Sequence, residues 1–537
     1  MAEHQSYTEL IARSFLQNRN RLALIDFQGE KNTYEDVAEK VQAIHNLFRK
    51  REIKEGDRVA ICGKNCSNWA VAFIAATTYG TVAVPLLHEF TPENITNAIK
   101  HSGASVLFAS DEIYNKIADS VGGLLCVSLR SMDIMEGGLR TSFRIKPMRD
   151  YAAFCHSFHQ YAPEDLLVLN YTSGTTSSPK GVMIPERAVV SNILFGYEVM
   201  PVLNCEHSVV SLLPLAHTYS MSFELLVEFT LGMRIYFLTG RMHTGYIFDA
   251  FEEAKPKVII MVPLILEKIV KKGVFPVIAK PGVAFLRRIP GIRSLVNKKI
   301  RDGLYNKLGG NFYQVIIGGA GLDPEVESVL MSVKFPFTVG YGMTECAPII
   351  CYSDWKDFRA GTCGKAAPRM ALSFGRRFGD ACEVLAQGDN VMLGYYRNPE
   401  ATAEVLDSDG WLHTGDLGTM DSEGNLKILG RCKTMFLSAT GQNVYPEEIE
   451  AVVSNIKYVK ECLAVNREDQ IEMLVYLDAD EIRRDGLSQN DLRDYENRIR
   501  MEANVKLPAY SRISRVTFMD KPFEKTPKMS IKRFLYN

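Results

Sequence analysis

The stretch Thr91-Pro92-Glu93-Asn94-Ile95-Thr96-Asn97-Ala98-Ile99-Lys100-His101-Ser102-Gly103-Ala104-Ser105-Val106-Leu107-Phe108-Ala109 sets the expectation for the fold. It begins with a capping hydroxyl at Thr91, a proline suited to the first helical turn and an acid near the positive helix end. That helix is expected to stop near Gly103. Ala104 to Ala109 then reads as a strand buried on both faces. Val258-Ile259-Ile260-Met261-Val262 and Gln314-Val315-Ile316-Ile317 read the same way. Continuous apolar strands between helices imply parallel sheets covered on both sides, hence an α/β architecture.

The 537 residues are 46% hydrophobic and 23% charged, with a net charge of −1. Such a chain is globular and large enough for roughly three or four units of ordinary size. Its balanced charge gives no global attraction to nucleic acid, and none is expected as a partner. The 11 cysteines are scattered, without a CxxC pair or zinc spacing, as in a reducing cytosol. Cys62 and Cys66 read as ordinary thiols. The N-terminus is polar, so no secretory leader is expected. The most apolar stretch, Val209 to Leu238, is interrupted by His217, Glu224, Glu228 and Arg234, which argues against a membrane span. A cytoplasmic protein is expected, in which the Asn65 and Asn94 sequons carry little meaning.

A boundary is expected at Gly430-Arg431-Cys432-Lys433. It would divide residues 1–430 from a small α+β domain of 431–537, with a helix opening at Pro446-Glu447-Glu448-Ile449-Glu450 and a strand at Met473-Leu474-Val475-Tyr476-Leu477. Between Lys268 and Lys307 lie Lys271, Lys272, Lys280, Arg287, Arg288, Arg293, Lys298, Lys299 and Arg301, with Asp302 the only acid among them and apolar residues interleaved. This segment reads either as a solvated basic face or as a peripheral patch for anionic lipid, which would add membrane association.

The most informative chemistry lies in Tyr171-Thr172-Ser173-Gly174-Thr175-Thr176-Ser177-Ser178-Pro179-Lys180-Gly181, after the apolar strand Leu166-Leu167-Val168-Leu169. A loop this rich in Ser, Thr and Gly offers N–H groups and hydroxyls to phosphate, and Lys180 adds a point charge. The spacing is not that of a Walker A loop.

The loop resembles the phosphate-binding loop of the acyl-adenylate-forming superfamily, which includes acyl-CoA synthetases, peptide-synthetase adenylation domains and luciferases. Other stretches resemble that family's motifs in order. Pro214-Leu215-Ala216-His217-Thr218-Tyr219 is similar to its second core motif. Gly318-Gly319-Ala320 resembles the adenine-binding turn. Tyr341-Gly342-Met343-Thr344-Glu345 resembles the nucleotide and magnesium motif. Trp411-Leu412-His413-Thr414-Gly415-Asp416 resembles the ribose motif. Gly430-Arg431-Cys432-Lys433 resembles the hinge, and Gly441-Gln442-Asn443-Val444-Tyr445-Pro446 the CoA-side loop. The resemblance covers nearly the whole chain. It implies a large N-terminal domain of parallel-rich sheets covered by helices, with a β-barrel-like part, and a small mobile α+β C-terminal domain.

It also implies roles. Thr172, Ser173, Gly174, Thr175, Thr176 and Lys180 would cradle ATP phosphates. Gly318, Gly319 and Ala320 would flank adenine, with Tyr341, Gly342 and Met343 beside the nucleotide. Thr344 would meet the α-phosphate. Glu345, a hard oxygen ligand, would hold Mg²⁺. Asp416 could accept from both ribose hydroxyls. Arg431, Lys433 and Gly441 would serve the hinge and the nucleotide. His217 reads either as a packed core histidine or as a lining residue beside the reacting carboxylate. Trp411 reads as packing.

The implied reaction joins a fatty acid to AMP and then to CoA. The closest resemblance is to bacterial long-chain acyl-CoA synthetases, through Gly361-Thr362-Cys363-Gly364-Lys365, Gly388 to Tyr396 and Lys532 to Tyr536. An acyl-AMP ligase that loads a carrier protein and a catalytically weak binding homologue are the alternatives. Departures from the pattern bear on the last. Ser530 stands where the family places its catalytic lysine, leaving Lys528 or Lys532 to substitute. Ser177 replaces a frequent glycine. Met370 to Gln387 matches poorly, with Cys382-Glu383 where Gly-Glu is usual.

Overall fold

The computed structural model describes residues 5–172, 180–241, 243–437, 442–467, 470–487, 491–492, 494–526 and 531–536. These fall into two compact units. The larger comprises residues up to 172, 180–371 and 387–404, and the smaller comprises 372–386 and 405 onward. The fold is mixed α/β, with a large N-terminal sheet domain and a small C-terminal domain.

The opening stretch folds as its residues dictate. Pro92–Ser102 is a helix; Thr91 caps it by accepting from the Asn94 N–H, and Gly103 ends it in the left-handed region. Ala104–Ala109 follows as a strand. It lies inside a nine-stranded sheet whose middle is parallel: Leu166–Thr172, Val82–Leu86, Arg58–Cys62, Ala104–Ala109 and Leu125–Ser128. Both margins are antiparallel. Asp133–Glu136 and Leu139–Ser142 close one side; Lys180–Pro185 and Gly394–Tyr395 close the other. The helix Ser67–Tyr79 is buried along almost its whole length, as a helix enclosed on all sides must be. A parallel three-stranded sheet joins Val258–Met261, Gln314–Ile317 and Phe337–Val339.

The smaller unit holds the antiparallel sheet of Met370–Phe378, Ala381–Gly388, Leu412–Met420 and Leu426–Arg431. The stretch that fits the family pattern poorly therefore forms an ordinary β-hairpin. Farther on, Val459–Arg467, Gln470–Leu477 and Arg515–Phe518 form a mixed sheet packed with the helices Pro446–Val453 and Tyr495–Lys506. Among the described residues, no helix is long and apolar enough to cross a membrane.

Glu224 and Glu228, which interrupt the most apolar stretch of the sequence, are both fully buried. Burial pushes each carboxyl up to about 8. Glu224 is compensated: it accepts from the N–H groups of Leu212 and Leu213 and from Ser211 Oγ. Among the described residues, neither oxygen of Glu228 has a hydrogen-bond partner. The folded chain therefore holds these protons up to about pH 8, against 4.5 for the free group. Between those values the folded state binds more protons than the unfolded, so stability falls as pH rises through that window and levels off above it. Glu228→Gln removes one of the two groups. In urea unfolding the variant is expected to lose less stability between pH 5 and 8.5 than the parent, with a gap on the order of 1 kcal/mol or more. An unchanged pH slope would refute the assignment.

Candidate functional site

In the larger unit, strand pairing fixes the two ends of the Ser/Thr-rich loop. Thr172 faces Lys180 across the antiparallel ladder of Leu166–Thr172 and Lys180–Pro185. Ser173, Gly174, Thr175 and Thr176, which lie between these ends, are outside the described residues. Lys180 Nζ sits 4.8 Å from the centroid of the Tyr395 ring, and the Tyr395 hydroxyl donates to Glu345 Oε1 at 2.9 Å. Tyr395 reaches this position because Gly394–Tyr395 adds a short strand beside Val182 and Met183. Loop end, tyrosine and carboxylate thus meet in one cluster, although 165 positions separate Lys180 from Glu345.

Glu345 belongs to a tight turn. The strand Tyr341–Gly342 pairs with Ile349–Tyr352, and the one-turn helix Thr344–Cys346 lies between them. Met343 N–H donates to the Pro348 carbonyl and Cys346 N–H to that of Met343. Met392 N–H donates to the Glu345 carbonyl. The 388–396 stretch therefore holds Glu345 twice, by main chain from Met392 and by side chain from Tyr395. Thr344 is buried beside it.

A second convergence joins Pro214 to Tyr219 with Gly318 to Ala320. His217, half-buried, occupies the N-cap position of the short helix Thr218–Met221 in extended conformation. The Tyr219 hydroxyl donates to the Ile316 carbonyl at 3.2 Å. Its ring lies so close to Gly318 that a Cβ there would meet it at 3.0 Å. Gly319 has φ +87°, a conformation that favours glycine, and is exposed; among the described residues a Cβ at Gly319 would find only Val262 within 4 Å, at 3.8 Å. Asn170, on the strand leading to the Ser/Thr loop, donates to the Ala216 carbonyl at 2.8 Å and ties the two regions together.

In the smaller unit, Asp416 and Arg431 face each other in register on neighbouring strands. Arg431 Nε lies 2.8 Å from Asp416 Oδ1, with the carboxylate side chain 6% exposed. Arg431 Nη1 also donates to the Thr414 carbonyl at 3.3 Å. Glu383, from the poorly matching stretch, accepts from Gly415 N–H and approaches His413 Nδ1 at 3.1 Å. The strand carrying Asp416 is thus held at Gly415 by the Glu383 carboxylate. Lys433 is exposed in the turn that follows Arg431, and Gly441 lies outside the described residues.

The C-terminal lysines divide. Lys528 lies outside the described residues, as does Ser530. Lys532 Nζ is 3.4 Å from Glu524 Oε2. Its neighbour Arg533 bonds Glu450 Oε2 at 2.5 Å and approaches Glu447 Oε1 at 3.6 Å. Burial is the larger influence on Glu450 and pushes it up to about 7 despite Arg533. Glu447 Oε1 in turn accepts from Thr434 Oγ1 at 2.9 Å. This chain of contacts anchors the C-terminal segment to the turn after Arg431.

Tyr395, Asn170 and Tyr219 are the positioning side chains that sequence reasoning leaves without a role. Each was inside or beside a quoted motif, but its partner lies far away in the chain.

Two family models match the chain. Residues 11–396 match the AMP-binding enzyme model, and 434–536 match the AMP-binding enzyme C-terminal domain. The chain belongs to the AMP-binding enzyme family. It is 27% identical over 469 residues to long chain acyl-CoA synthetase 7, peroxisomal, of Arabidopsis thaliana, covering 80% of this chain and 66% of that protein. It is 28% identical over 462 residues to long-chain-fatty-acid–CoA ligase 1 of Homo sapiens, covering 78% and 65%. To the long-chain-fatty-acid–CoA ligase of Escherichia coli O157:H7 it is 27% identical over 503 residues, covering 86% and 83%. The chain thus spans just under two thirds of the length of the Arabidopsis and human relatives. Among solved structures, ATP-bound MatB from Rhodopseudomonas palustris superposes with a TM-score of 0.76 at 22% identity, covering 98% of each chain. The o-succinylbenzoate CoA synthetase MenE of Bacillus subtilis, in complex with OSB-AMP, gives 0.78 at 19% identity, covering 100% of this chain and 99% of that one. These two likenesses establish the fold.

Proposed function

We propose that the protein is an ATP-dependent acyl-CoA synthetase that activates a long-chain fatty acid. A carboxylate oxygen attacks the α-phosphorus of ATP, the bond to the bridging oxygen breaks, and pyrophosphate leaves. The CoA thiolate then attacks the acyl carbon of the mixed anhydride, forming the thioester and releasing AMP. The observation that carries this reading is the meeting of Lys180, Tyr395 and Glu345 in one cluster.

The first step brings two anions together, so the site must offset negative charge. Lys180 stands at the end of the phosphate loop as a point charge. Thr344 provides a hydroxyl, and Thr172, Ser173, Gly174, Thr175 and Thr176 supply the remaining loop donors. Glu345 fits a hard cation: Tyr395 engages Oε1, and among the described residues Oε2 has no protein partner. Magnesium held there would neutralise phosphate charge and orient the triphosphate. Gly318, Gly319, Ala320, Tyr341, Gly342 and Met343 would take the adenine side, and His217 would line the acid's approach. Asp416, with Arg431 beside it, would take the ribose. Lys433 marks the hinge between domains 1–430 and 431–537, and Gly441 belongs to the CoA side. The enzyme would work in the cytoplasm and meet membranes peripherally, where its acid resides.

Purified protein with ATP, Mg²⁺ and palmitate should exchange labelled pyrophosphate into ATP, and added CoA should yield palmitoyl-CoA. Exchange without thioester would favour a carrier-protein acceptor. ATP binding with neither activity would overturn the enzyme reading. Lys528 and Lys532 are the two candidates for the charge missing at Ser530. At least one of Lys528→Ala and Lys532→Ala should lose about tenfold or more in exchange, equivalent to about 1.4 kcal/mol of barrier. If both variants retain the parent rate, neither lysine fills that role.

A further inference from the structure

Residues 263–307 fold as the helices Pro263–Gly273, Phe275–Ile278, Pro281–Leu286 and Ile292–Lys307. Their inward side is modest: Leu266, Val270, Val274 and Leu304 enter the core, whereas neither Phe275–Ile278 nor Pro281–Leu286 buries any residue. Their outward side is unusual. Phe285 is 64% exposed, Leu295 69% and Leu264 61%, and Leu286 and Ile292 are exposed as well.

Cations share these faces. Leu264, Lys268 and Lys272 recur at four-residue spacing along one helix, and Ile292, Leu295 and Lys299 recur at three and four along another. Lys268, Lys272, Lys280, Arg288, Arg293, Lys298 and Lys299 are exposed and make no ion pair among the described residues. The acids of the region are already engaged, Asp302 by Arg301, Asp323 by Lys271, and Glu267 by the Asp323 N–H, from which it accepts. Burial, with a smaller contribution from the charge of Arg293, pushes the Arg287 guanidinium down from its usual value.

We infer that this surface docks on an anionic phospholipid bilayer, with Leu264, Phe285, Leu286, Ile292 and Leu295 entering the interface and the unpaired lysines and arginines meeting the headgroups. A merely solvated basic face has no use for large apolar side chains turned to water. Association of two copies through this face would set like charges against each other. An anionic bilayer complements both components at once, as amphipathic interfacial helices do. The inference depends on the fatty-acid reading only for its purpose. Vesicle binding needs no turnover, so each can fail without the other.

The test is co-sedimentation of the full chain with vesicles. Phosphatidylglycerol–phosphatidylcholine vesicles should bind the parent at least about tenfold more tightly than pure phosphatidylcholine. Raising salt from about 0.1 to 1 M, which shortens the screening length from about 10 to 3 Å, should release it. Phe285→Ser with Leu295→Ser, and separately Lys298→Glu with Lys299→Glu, should each weaken binding about tenfold or more. Thermal stability should hold in both, since these four side chains are exposed. Equal binding to neutral vesicles, or parental binding by both double variants, would overturn the proposal. So would parent self-association that Phe285→Ser with Leu295→Ser abolishes, since a second copy would then own the face.

Discussion

Glu345→Ala should lower ATP–pyrophosphate exchange by about 10²–10³-fold, the range seen when one preorganised electrostatic partner of a transition state is removed. Tyr395 stands between Lys180, at the end of the Ser/Thr-rich loop, and this carboxylate, whose Oε1 its hydroxyl already orients. Removing the carboxylate takes away the hard oxygen donor and leaves Tyr395 without that acceptor. Tyr395→Phe keeps the carboxylate and the ring under Lys180 but deletes the orienting bond, so its loss should be smaller, about tenfold. The two variants, assayed across a magnesium titration, separate the roles. Raising magnesium should recover part of the Tyr395→Phe deficit and none of the Glu345→Ala deficit. A Glu345→Ala rate within threefold of the parent would remove the carboxylate from the chemistry.

Gly342→Ala is the second large effect, and its cause is backbone geometry. A Cβ at Gly342 would lie 2.2 Å from the Pro348 carbonyl oxygen and 2.9 Å from its carbon. Those are main-chain atoms of the same tight turn and cannot swing aside. Relief requires the paired strands Tyr341–Gly342 and Ile349–Tyr352 to part, at a cost of about 1–3 kcal/mol or more. Thr344 and Glu345 hang on that turn, and a displacement of about 1 Å at a reacting group can cost about 10²-fold in rate. The variant should therefore unfold at lower urea and lose most of its exchange activity. Gly321→Ala, where no described residue lies within 4 Å of the new methyl, should stay within about 0.5 kcal/mol of the parent. Equal behaviour of the two alanine variants would contradict the packing described for the turn.

Local signals were legible in the sequence where a residue's own chemistry decides its structure. Thr91, Pro92 and Gly103 bound a helix by capping and φ preference, and that helix forms between them. The short apolar run from Ala104 to Ala109, following that glycine stop, reads as a covered strand and forms one. Partnerships across long separations were not legible. Nothing in the residues near Tyr395 says that its hydroxyl will find Glu345, because strand pairing with Lys180–Pro185 brings it there. The pairing of Asp416 with Arg431 likewise depends on the register of two strands. The hairpin of Met370 to Gly388 departs from the expected pattern in sequence, yet pairing with the strand Leu412–Met420 brings the Glu383 carboxylate to the Gly415 N–H. Glu224 and Glu228 looked like interruptions of an apolar run. They are interior acids, a state that composition alone does not reveal.

One margin of the large sheet has a consequence for biosynthesis. Lys180–Pro185 gains its outer neighbour, Gly394–Tyr395, only from residues made 209 positions after Pro185. At translation speeds of about 5–20 residues per second the ribosome needs about 10–40 s to deliver that strand. During this interval the nascent chain exposes an unpaired β edge, a template for misassembly. Chaperone demand should therefore peak before the Gly394–Tyr395 dipeptide emerges and fall once it has docked.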